Sequence, residues 1–504
     1  METEIKLSLP ASSRPIVEAH PLLAACEATQ ARNVSTYYDT PDFALRKRGV
    51  VLRIRAAADG HVQTLKWCDA AAGFASRGET EWAVGSDTID RHALARHGEA
   101  LRHVAADLDR LAPVFTTDIT RTTRHLTLDR HTTVEAVLDE GEARAGDRRQ
   151  PIRELELELK GGPVGPMFRL AADLARCAGL RYVPDSKSDR GYALLSDAPS
   201  PPRAAAPEPV LTDGATLGDA VPLLFGAACR DLAVDLSVAA RGDVEGVHRL
   251  RAAIRRLRTL LALLGPHLDP EAAAVFDGQL RDLGRVLGRG RDWDVFLTET
   301  LADAEAVLGA DALAPLRHAA AGRGSDAHAE IAAAVEGPLP TELLLGLSLW
   351  TAGRGWLRGG AEPGHVDDAE APLRDLLPKL LDRLERKAMR RGRHLGTLET
   401  EQLHELRKAL KKLRYAGEAV SSLFKPKDVS CYLGRVRKVL GDLGRINDAA
   451  VTAALLDTLA AQGSAEFSTA ASDLLRRIRA RRRTGERDLR RRWRKLRHAD
   501  PFWS

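Results

Sequence analysis

The pattern of apolar and polar residues changes once along the chain. In the N-terminal part, short segments such as TEIKLSL, VVLRIRA, ETEWAV and ELELELK alternate apolar with polar residues. This alternation predicts β-strands, because successive side chains of a strand point to opposite faces. In the C-terminal part, Leu and Ala recur at helical spacing over long stretches. We therefore expect an α+β protein in which a mainly β domain precedes an all-α domain.

A segment rich in Pro and Ala separates the two patterns. Residues 198–216 show no apolar periodicity, which predicts a linker. The β domain is then expected over residues 1–197 and the helical domain over residues 217–504. A chain of 504 residues is long enough for two or three domains with cores of their own.

The helical part repeats itself. HRLRAAIRRLR, which starts at His248, matches HELRKALKKLR, which starts at His404. At the same offset, LGRGRDWDV from Leu287 matches LGRINDAAV from Leu443. One constant spacing across two pairs of motifs predicts a duplicated unit, which we interpret as two four-helix bundles.

Composition narrows the class of protein. The five cysteines are scattered without CxxC spacing, which is typical of reduced thiols and, with no secretory signal visible, predicts a cytoplasmic protein. No apolar run of about eighteen residues is present, so no membrane partner is expected. The motifs of P-loop, zincin, α/β-hydrolase and dinucleotide-binding proteins are missing.

Charged residues share one face of several predicted strands. A single row of this kind is typical of a solvated outer face, but several together favour a closed sheet with a charged lumen. Unpaired buried charges are unfavourable by several kcal/mol each, so that lumen must hold water, metal and a charged ligand. The rows are Glu2, Glu4 and Lys6; Arg53 and Arg55; and Glu154, Glu156, Glu158 and Lys160.

Carboxylates beside Arg and Lys suit a phosphorylated ligand with a metal. Hard divalent cations such as Mg²⁺ bind carboxylate oxygens and commonly share their remaining positions with substrate phosphates. Arg and Lys bind the other phosphate oxygens, Arg often through two parallel hydrogen bonds. The charged rows therefore predict a polyphosphorylated substrate.

An ordered series of motifs resembles the CYTH domain of the triphosphate tunnel metalloenzyme family. METEIKL fits the ExExK signature, and the series continues through YYDTPDFALRKRGVVLRIR, QTLK, ETEWAV, TRTTR, VEAVLDEGEA, ELELELKGG and SKSDRGY. This resemblance implies an eight-stranded antiparallel β tunnel with covering helices. It also implies that the domain hydrolyses or otherwise transforms triphosphates with Mg²⁺ or Mn²⁺.

The resemblance assigns roles to individual residues. Arg124 competes with Arg121 for its role, Arg190 is a candidate assistant to Lys187, and Glu79 and Glu81 fit either a metal role or an ordinary ion pair. The implied metal ligands are Glu2, Glu4, Asp139, Glu154, Glu156 and Glu158. The implied phosphate-binding residues are Lys6, Arg53, Arg55, Lys66, Arg121 and Lys187.

Each of the two repeated helices carries a basic face opposite a Leu-rich face. Like charges at helical spacing destabilise an isolated helix, so two such faces indicate an anionic partner, although a solvated basic surface is the alternative. The basic faces comprise His248, Arg251, Arg255 and Arg258 in the first repeat and His404, Arg407, Lys411 and Arg414 in the second.

These repeats resemble the CHAD domain, a family of histidine-bearing helices. The resemblance implies two bundles related by pseudo-symmetry and binding of inorganic polyphosphate by the basic faces. The polybasic segment 476–497 extends this charge and also suits nucleic acid. Nucleic acid is not favoured, because aromatic residues for base stacking are scarce there.

Together these features predict a metal-dependent inorganic triphosphatase whose helical domain binds polyphosphate. Two alternatives stay open: a non-catalytic polyphosphate-binding adaptor, and a tunnel enzyme acting on an organic triphosphate such as thiamine triphosphate or ATP. The sequence indicates no oligomeric state.

Overall fold

The computed structural model describes residues 2–57, 60–67, 76–96, 105–183, 185–195, 209–240, 242–357, 366–460 and 465–504. The chain forms two compact units. The first comprises Met1–Glu208 with Gly337–Gly353, and the second comprises Pro209–Glu336 with Arg354–Ser504. The sequence-based linker at 198–216 stays a prediction, since residues 196–208 lie outside the described part. Residues 337–353, which the sequence pattern placed in the helical domain, are grouped with the β unit.

The first unit is built on antiparallel strands. Their order is β5-β4-β3-β2-β6-β7-β8-β1, and β1 pairs with β5 again, so eight strands close into a ring. The short β9 pairs with β1 outside that ring. The strands are β1 Glu2–Ser8, β2 Thr29–Asp39, β3 Val50–Ala57, β4 Gly60–Trp67, β5 Ser76–Val84, β6 Ala112–Thr127, β7 Thr133–Ala145, β8 Arg148–Gly161 and β9 Arg181–Tyr182.

The predicted eight-stranded tunnel is therefore confirmed, with β9 as an addition. The register explains which face is inside. Glu4 lies opposite Glu158 and Lys6 opposite Glu156 across β1 and β8, so the charged rows share one face. The alternate residues, including Ile5 and Leu7, face the other way and are fully buried in an apolar core.

Helices cover the outer face of the ring, except the helix Lys187–Ala193, which packs on the lumen side with Tyr192 beside Tyr37 and Phe115. The helices of the N-terminal part are α1 Arg14–Glu18, α2 Pro21–Ala24, α3 Ala44–Lys47, α4 Arg91–Arg96, α5 Gly165–Ala178 and α6 Lys187–Ala193. Leu170 and Leu174 of α5 pack in the same core as the apolar face of β1 and β8. Burial of these large side chains stabilises the closed sheet by about 1.5–3 kcal/mol each.

The remaining helices follow residue 216. They are α7 Leu217–Ala240, α8 Val244–Leu264, α9 Pro270–Val295, α10 Leu301–Leu308, α11 Ala310–Glu336, α12 Leu339–Ala352, α13 Val366–Glu370, α14 Leu373–Arg391, α15 Thr400–Ala419, α16 Pro426–Ala460 and α17 Ala465–Arg497. A π-helical turn, Phe296–Thr300, joins α9 to α10.

Helix α12 belongs to the first unit. Its Leu345 is fully buried in the core that α5 forms with the sheet. The backbone N–H of Tyr182 in β9 donates to Oγ1 of Thr341 at 2.9 Å. These contacts add a late helix to the β unit, which explains why the unit includes residues far from its other elements.

The second unit contains two antiparallel helical sets. In the first, α7, α8, α9 and α11 pack in succession and α11 returns to α7; in the second, α14, α15, α16 and α17 pack in succession. The apolar stripe of α8, which includes Leu250 and Leu257, is fully buried, as are Leu406 and Leu413 of α15. The predicted fold class is confirmed. No helix among the described residues is long and apolar enough to cross a membrane.

Candidate functional site

The closed ring of the first unit surrounds a highly charged cavity of about 310 Å³. Almost all of its lining side chains are charged or polar, as the shared face of the strands predicted. The lining residues are Glu4, Lys6, Tyr37, Val51, Arg53, Arg55, Lys66, Glu79, Glu81, Arg121, Glu135, Val137, Glu156, Glu158, Lys160, Ser186, Lys187 and Ser188.

Lys187 enters the cavity from the start of α6. Ser186 caps this helix by accepting a hydrogen bond from the backbone N–H of Asp189, and the Asp189 carboxylate accepts one from the backbone N–H of Ser186. At the other end of α6, the Tyr192 hydroxyl donates to the buried carboxylate of Asp39 at 2.7 Å. The N-terminal cap and the Tyr192–Asp39 hydrogen bond together fix the direction in which Lys187 points.

Three carboxylates surround Lys187. Its Nζ lies 2.7 Å from Asp139, 2.5 Å from Glu154 and 2.8 Å from Glu156. Asp139 and Glu154 are fully buried and Glu156 is 6% exposed, so this cluster is shielded from water. Arg190 also contacts Glu154, at 2.9 Å. Burial alone would lower the pKa of Lys187, but the carboxylates outweigh it and raise that pKa well above its usual range.

Glu156 connects this cluster to two more cations. Its carboxylate pairs with Lys6 and accepts a hydrogen bond from Arg121 at 3.0 Å. Arg121 also donates two parallel hydrogen bonds, of 2.9 and 2.7 Å, to the Asp139 carboxylate. Burial disfavours the Glu156 charge, yet Lys187, Lys6 and Arg121 hold its pKa well below the usual range. Glu156 therefore remains an anion.

The opposite wall of the cavity is formed by β3, β4 and β5. Glu81 accepts a hydrogen bond from Thr64 at 2.7 Å and lies 3.6 Å from both Arg53 and Arg55. The Nε atoms of these two arginines are buried and have no hydrogen-bond partner among the described residues. Buried, unsatisfied N–H donors are unfavourable, and an anion in the cavity would satisfy them.

Most residues predicted for the tunnel meet at this cavity. Lining it are Glu4, Lys6, Arg53, Arg55, Lys66, Arg121, Glu156, Glu158 and Lys187. Asp139 and Glu154 lie behind Lys187, in contact with its amine. The backbone of Glu2 pairs with Arg77, while the Glu2 side chain lies outside the described part. Arg124 does not line the cavity and lies 3.8 Å from Glu18 of α1, so Arg121 and not Arg124 takes the lumen position.

Sequence reasoning missed four polar lining residues, Tyr37, Glu135, Ser186 and Ser188. Glu135 lies 3.5 Å from Lys160, which the charged row of β8 places in the lumen, and Ser186 and Ser188 flank Lys187. The signal for Glu135 was present, because it alternates with Val137 and Asp139 along β7 and therefore shares their face.

The carboxylates fit a hard divalent cation. Oxygens of Asp139, Glu154 and Glu156 lie within 4.8 Å of one another, although lysine and arginine side chains already contact all three. A second row lines the cavity, because Glu4 lies opposite Glu158 and Glu158 opposite Glu135 on neighbouring strands. Carboxylate oxygens, together with water and substrate phosphates, are the usual ligands of protein-bound Mg²⁺.

The second unit holds another basic cavity of about 870 Å³, which we call the cleft. Helix α8 packs against α15, so the two repeats place their basic faces together. The one carboxylate that lines it, Glu405, pairs with Arg391 at 2.7 Å and with Lys408. The basic lining residues are Arg251, Arg255, Arg258, Arg383, Arg386, Lys387, Arg390, Arg391, His404, Arg407, Lys408, Lys411 and Lys412.

Two predicted residues stand beside the cleft without lining it. Arg414 stacks on the ring of Tyr415, with its guanidinium carbon 4.3 Å from the ring centroid. The His248 imidazole has a pKa below its usual value because of burial and the nearby Arg291 charge.

Helix α14 adds five basic residues to the cleft that sequence reasoning missed, although their spacing in DRLERKAMRR places them on one side of a helix.

The polybasic segment 476–497 forms the last part of α17. Trp493 and Leu496 are buried, and Arg492 bonds Asp442 at 2.7 Å. At least this part of the segment therefore packs in the bundle.

Comparisons with known proteins agree with both architectures. Residues 1–192 match the CYTH domain, and residues 224–457 match the CHAD domain, which confirms both resemblances. An inorganic triphosphatase from Haemophilus influenzae is 32% identical over 200 residues, which cover 39% of this chain and 56% of that protein. The chain therefore spans just over half the length of this curated relative. The crystal structure of the CHAD domain from the plant Ricinus communis matches at 24% identity with a TM-score of 0.51, covering 60% of this chain and 98% of that one, which is a likeness of fold alone.

Proposed function

We propose that this chain, which joins a CYTH domain to a CHAD domain, hydrolyses inorganic triphosphate to pyrophosphate and phosphate in its β tunnel. The observation that carries this proposal is the cavity wall of Arg53 and Arg55, whose buried Nε donors have no hydrogen-bond partner among the described residues, facing carboxylates across a closed lumen. A linear triphosphate supplies the acceptor oxygens that these donors lack. The inorganic triphosphatase relative supports the same substrate.

Cationic side chains from both walls bind the phosphates. Arg53, Arg55 and Lys66 approach from β3 and β4, and Lys6, Arg121 and Lys187 approach from the opposite side. Contacts among the charged groups already orient several of these cations, so few groups must reorganise as charge develops in the transition state. Such preorganised electrostatics is usually the largest contribution to catalysis of this kind.

A divalent metal, Mg²⁺ or Mn²⁺, belongs to the proposal. The residues that would hold it are Glu4, Glu156 and Glu158, with Glu2, Asp139 and Glu154 as further members of the predicted set and Glu135 as an addition. When bound, the metal supplies positive charge to the phosphate oxygens and acidity to a coordinated water. Carboxylates that line the lumen accept hydrogen bonds from the attacking water and orient it towards the terminal phosphorus, in line with the bridging oxygen that leaves with pyrophosphate.

The proposed polyphosphate site is the cleft of the second unit. Its supporting observation is the large excess of cations over carboxylates in the lining. An elongated chain of phosphates satisfies many donors at once without needing aromatic stacking, which nucleic-acid bases would use. We further propose a cytoplasmic location, supported by the scattered cysteines.

The test is a comparison of substrates with the full chain. Phosphate release is measured from tripolyphosphate, thiamine triphosphate, ATP and long polyphosphate, first with Mg²⁺ and then with Mn²⁺. We expect tripolyphosphate to give the highest kcat/KM. A faster organic triphosphate would replace the proposed substrate, and no turnover of any compound would favour the non-catalytic adaptor.

A further inference from the structure

We propose that the cleft binds a phosphate chain together with about one proton, which Lys411 takes up as the chain enters. This inference rests on the proposed polyphosphate binding and concerns its regulation. It makes occupancy of the cleft depend on pH in the range where cells operate.

The position of Lys411 is the first basis. Lys411 lines the cleft on α15, between the basic faces of the two repeats. In the part of the chain that the structure describes, its amine has neither a hydrogen bond nor an ion pair. The charges that act most strongly on this amine are all positive, namely those of Arg407 and Arg414 on its own helix and of Arg251 and Arg255 on α8.

The carboxylates around the cleft interact with basic residues other than Lys411. Glu405 pairs with Arg391 and Lys408, and Glu418 lies 3.7 Å from Arg414. The charges of Asp292 and Asp448, on α9 and α16, act chiefly on Arg251 and Arg407. Asp277 bonds Arg258 at 2.8 Å. Other titratable or cationic groups that line the cleft are Arg258 on α8, His404, Lys408, Lys412 and Tyr415 on α15, and Arg383, Arg386, Lys387, Arg390 and Arg391 on α14, and His248 of α8 lies beside the cleft.

This arrangement disfavours a charged amine. Partial burial removes water from Lys411, and the four guanidinium groups repel a further positive charge, which together lower its pKa to about 7. Arginine does not relieve the crowding, because a guanidinium keeps its proton at any physiological pH. Lysine is therefore the group that responds by losing its proton.

A bound polyanion reverses the balance. Phosphate oxygens between α8 and α15 would neutralise the repulsion and accept hydrogen bonds from Nζ, so the ammonium form becomes favoured. Near pH 6 the amine is charged with or without ligand, so Lys411 itself takes up no proton. Between pH 8 and 9 the empty cleft holds a mostly neutral Lys411, and binding then takes up a proton and weakens by as much as about tenfold per pH unit.

Isothermal titration calorimetry of the full chain tests the inference. Long-chain polyphosphate, at about one hundred phosphates per chain so that end groups contribute little, is titrated without divalent metal to prevent hydrolysis. The experiment is run in two buffers of different ionisation enthalpy at pH 6.0 and 8.5. We expect the apparent enthalpy to depend on the buffer at pH 8.5, corresponding to nearly one proton, and we expect the contribution of Lys411 to this dependence to vanish at pH 6.0.

Two variants assign the proton. Lys411→Arg keeps the charge permanently, so we expect the uptake at pH 8.5 to disappear. Lys427→Arg, at an exposed position outside the cleft, is the matched control and should retain the uptake. Lys411→Met should lose the uptake as well, which covers the case in which Arg does not fit.

The outcomes separate the two proposals. Polyphosphate binding without proton uptake, or uptake that persists in both Lys411 variants, would overturn this inference and leave the proposed ligand standing. Absence of binding at every pH would overturn the proposed ligand and this inference together, while tripolyphosphate turnover in the tunnel would be unaffected.

Discussion

Replacement of Glu156 by Gln should destabilise strand β8 of the tunnel unit, so that this strand unfolds locally more often. Glu156 accepts contacts from Lys6, Arg121 and Lys187, and the carboxylate is almost entirely shielded from water. Gln keeps the size and one acceptor oxygen but removes the charge that compensates three cations. The expected result is therefore a loss of stability greater than that of an ordinary surface charge.

The magnitude follows from the remaining partners. Removal of one partner from a buried ion pair typically costs about 3–5 kcal/mol. Here Lys187 keeps Asp139 and Glu154, Arg121 keeps Asp139, and Lys6 keeps Glu4 at 3.0 Å. Because every cation retains a carboxylate partner, we expect a loss of stability at the lower end of this range, about 3 kcal/mol.

Native-state hydrogen exchange in the full chain provides the assay. Because the protein has two units, local opening is more informative than a single melting temperature. Amides of residues 153–158 in β8 should exchange about a hundredfold faster in Glu156→Gln, since 1.4 kcal/mol corresponds to about tenfold. Glu140→Gln is the control, because that residue of β7 pairs with Arg14 and does not line the lumen. Exchange of β8 within twofold of wild type, or an equal increase in the control, would refute the reasoning.

Three further results are expected. Arg53→Met should raise KM for tripolyphosphate at least tenfold, whereas Arg32→Met, at an exposed residue that pairs with Asp118, should leave the kinetics unchanged; equal effects in steady-state assays would contradict the lumen assignment. Leu345→Ala should destabilise the tunnel unit by about 2–5 kcal/mol by leaving a cavity in its core, seen as faster amide exchange in α5; unchanged exchange would show that α12 contributes little. Polyphosphate affinity should fall steeply as salt rises, and Arg255→Met should lower the slope of log Kd against log salt; an unchanged slope would exclude Arg255 from the contact.

The strand pattern predicted the lumen well because alternation and register act together. Glu4 and Glu158 lie opposite each other, as do Lys6 and Glu156, and the apolar residues between them face the core. The same parity separates Arg121 from Arg124, which are an odd number of residues apart and so lie on opposite faces of β6. The alternation therefore distinguishes Arg121 from Arg124, a choice that the motif resemblance left open.

Other features have no local signal. The two-residue β9 is too short to show an alternating pattern. The sequence of α12 predicts an apolar helix but not the core against which it packs, because tertiary packing sets that choice. The contacts of Lys187 with Asp139, Glu154 and Glu156 depend on where α6 meets the sheet. Likewise, the convergence of α8, α14 and α15 on one cleft follows from how the bundles pack, which helical periodicity does not specify.

The most direct test of the central claim is ³¹P NMR of tripolyphosphate incubated with the full chain and Mg²⁺ or Mn²⁺. The account predicts that the tripolyphosphate signals decay while orthophosphate and pyrophosphate appear in equal amounts, and that Arg53→Met slows this decay at substrate concentrations below KM. Tripolyphosphate that stays intact with both metals, while polyphosphate still binds the chain, would contradict it.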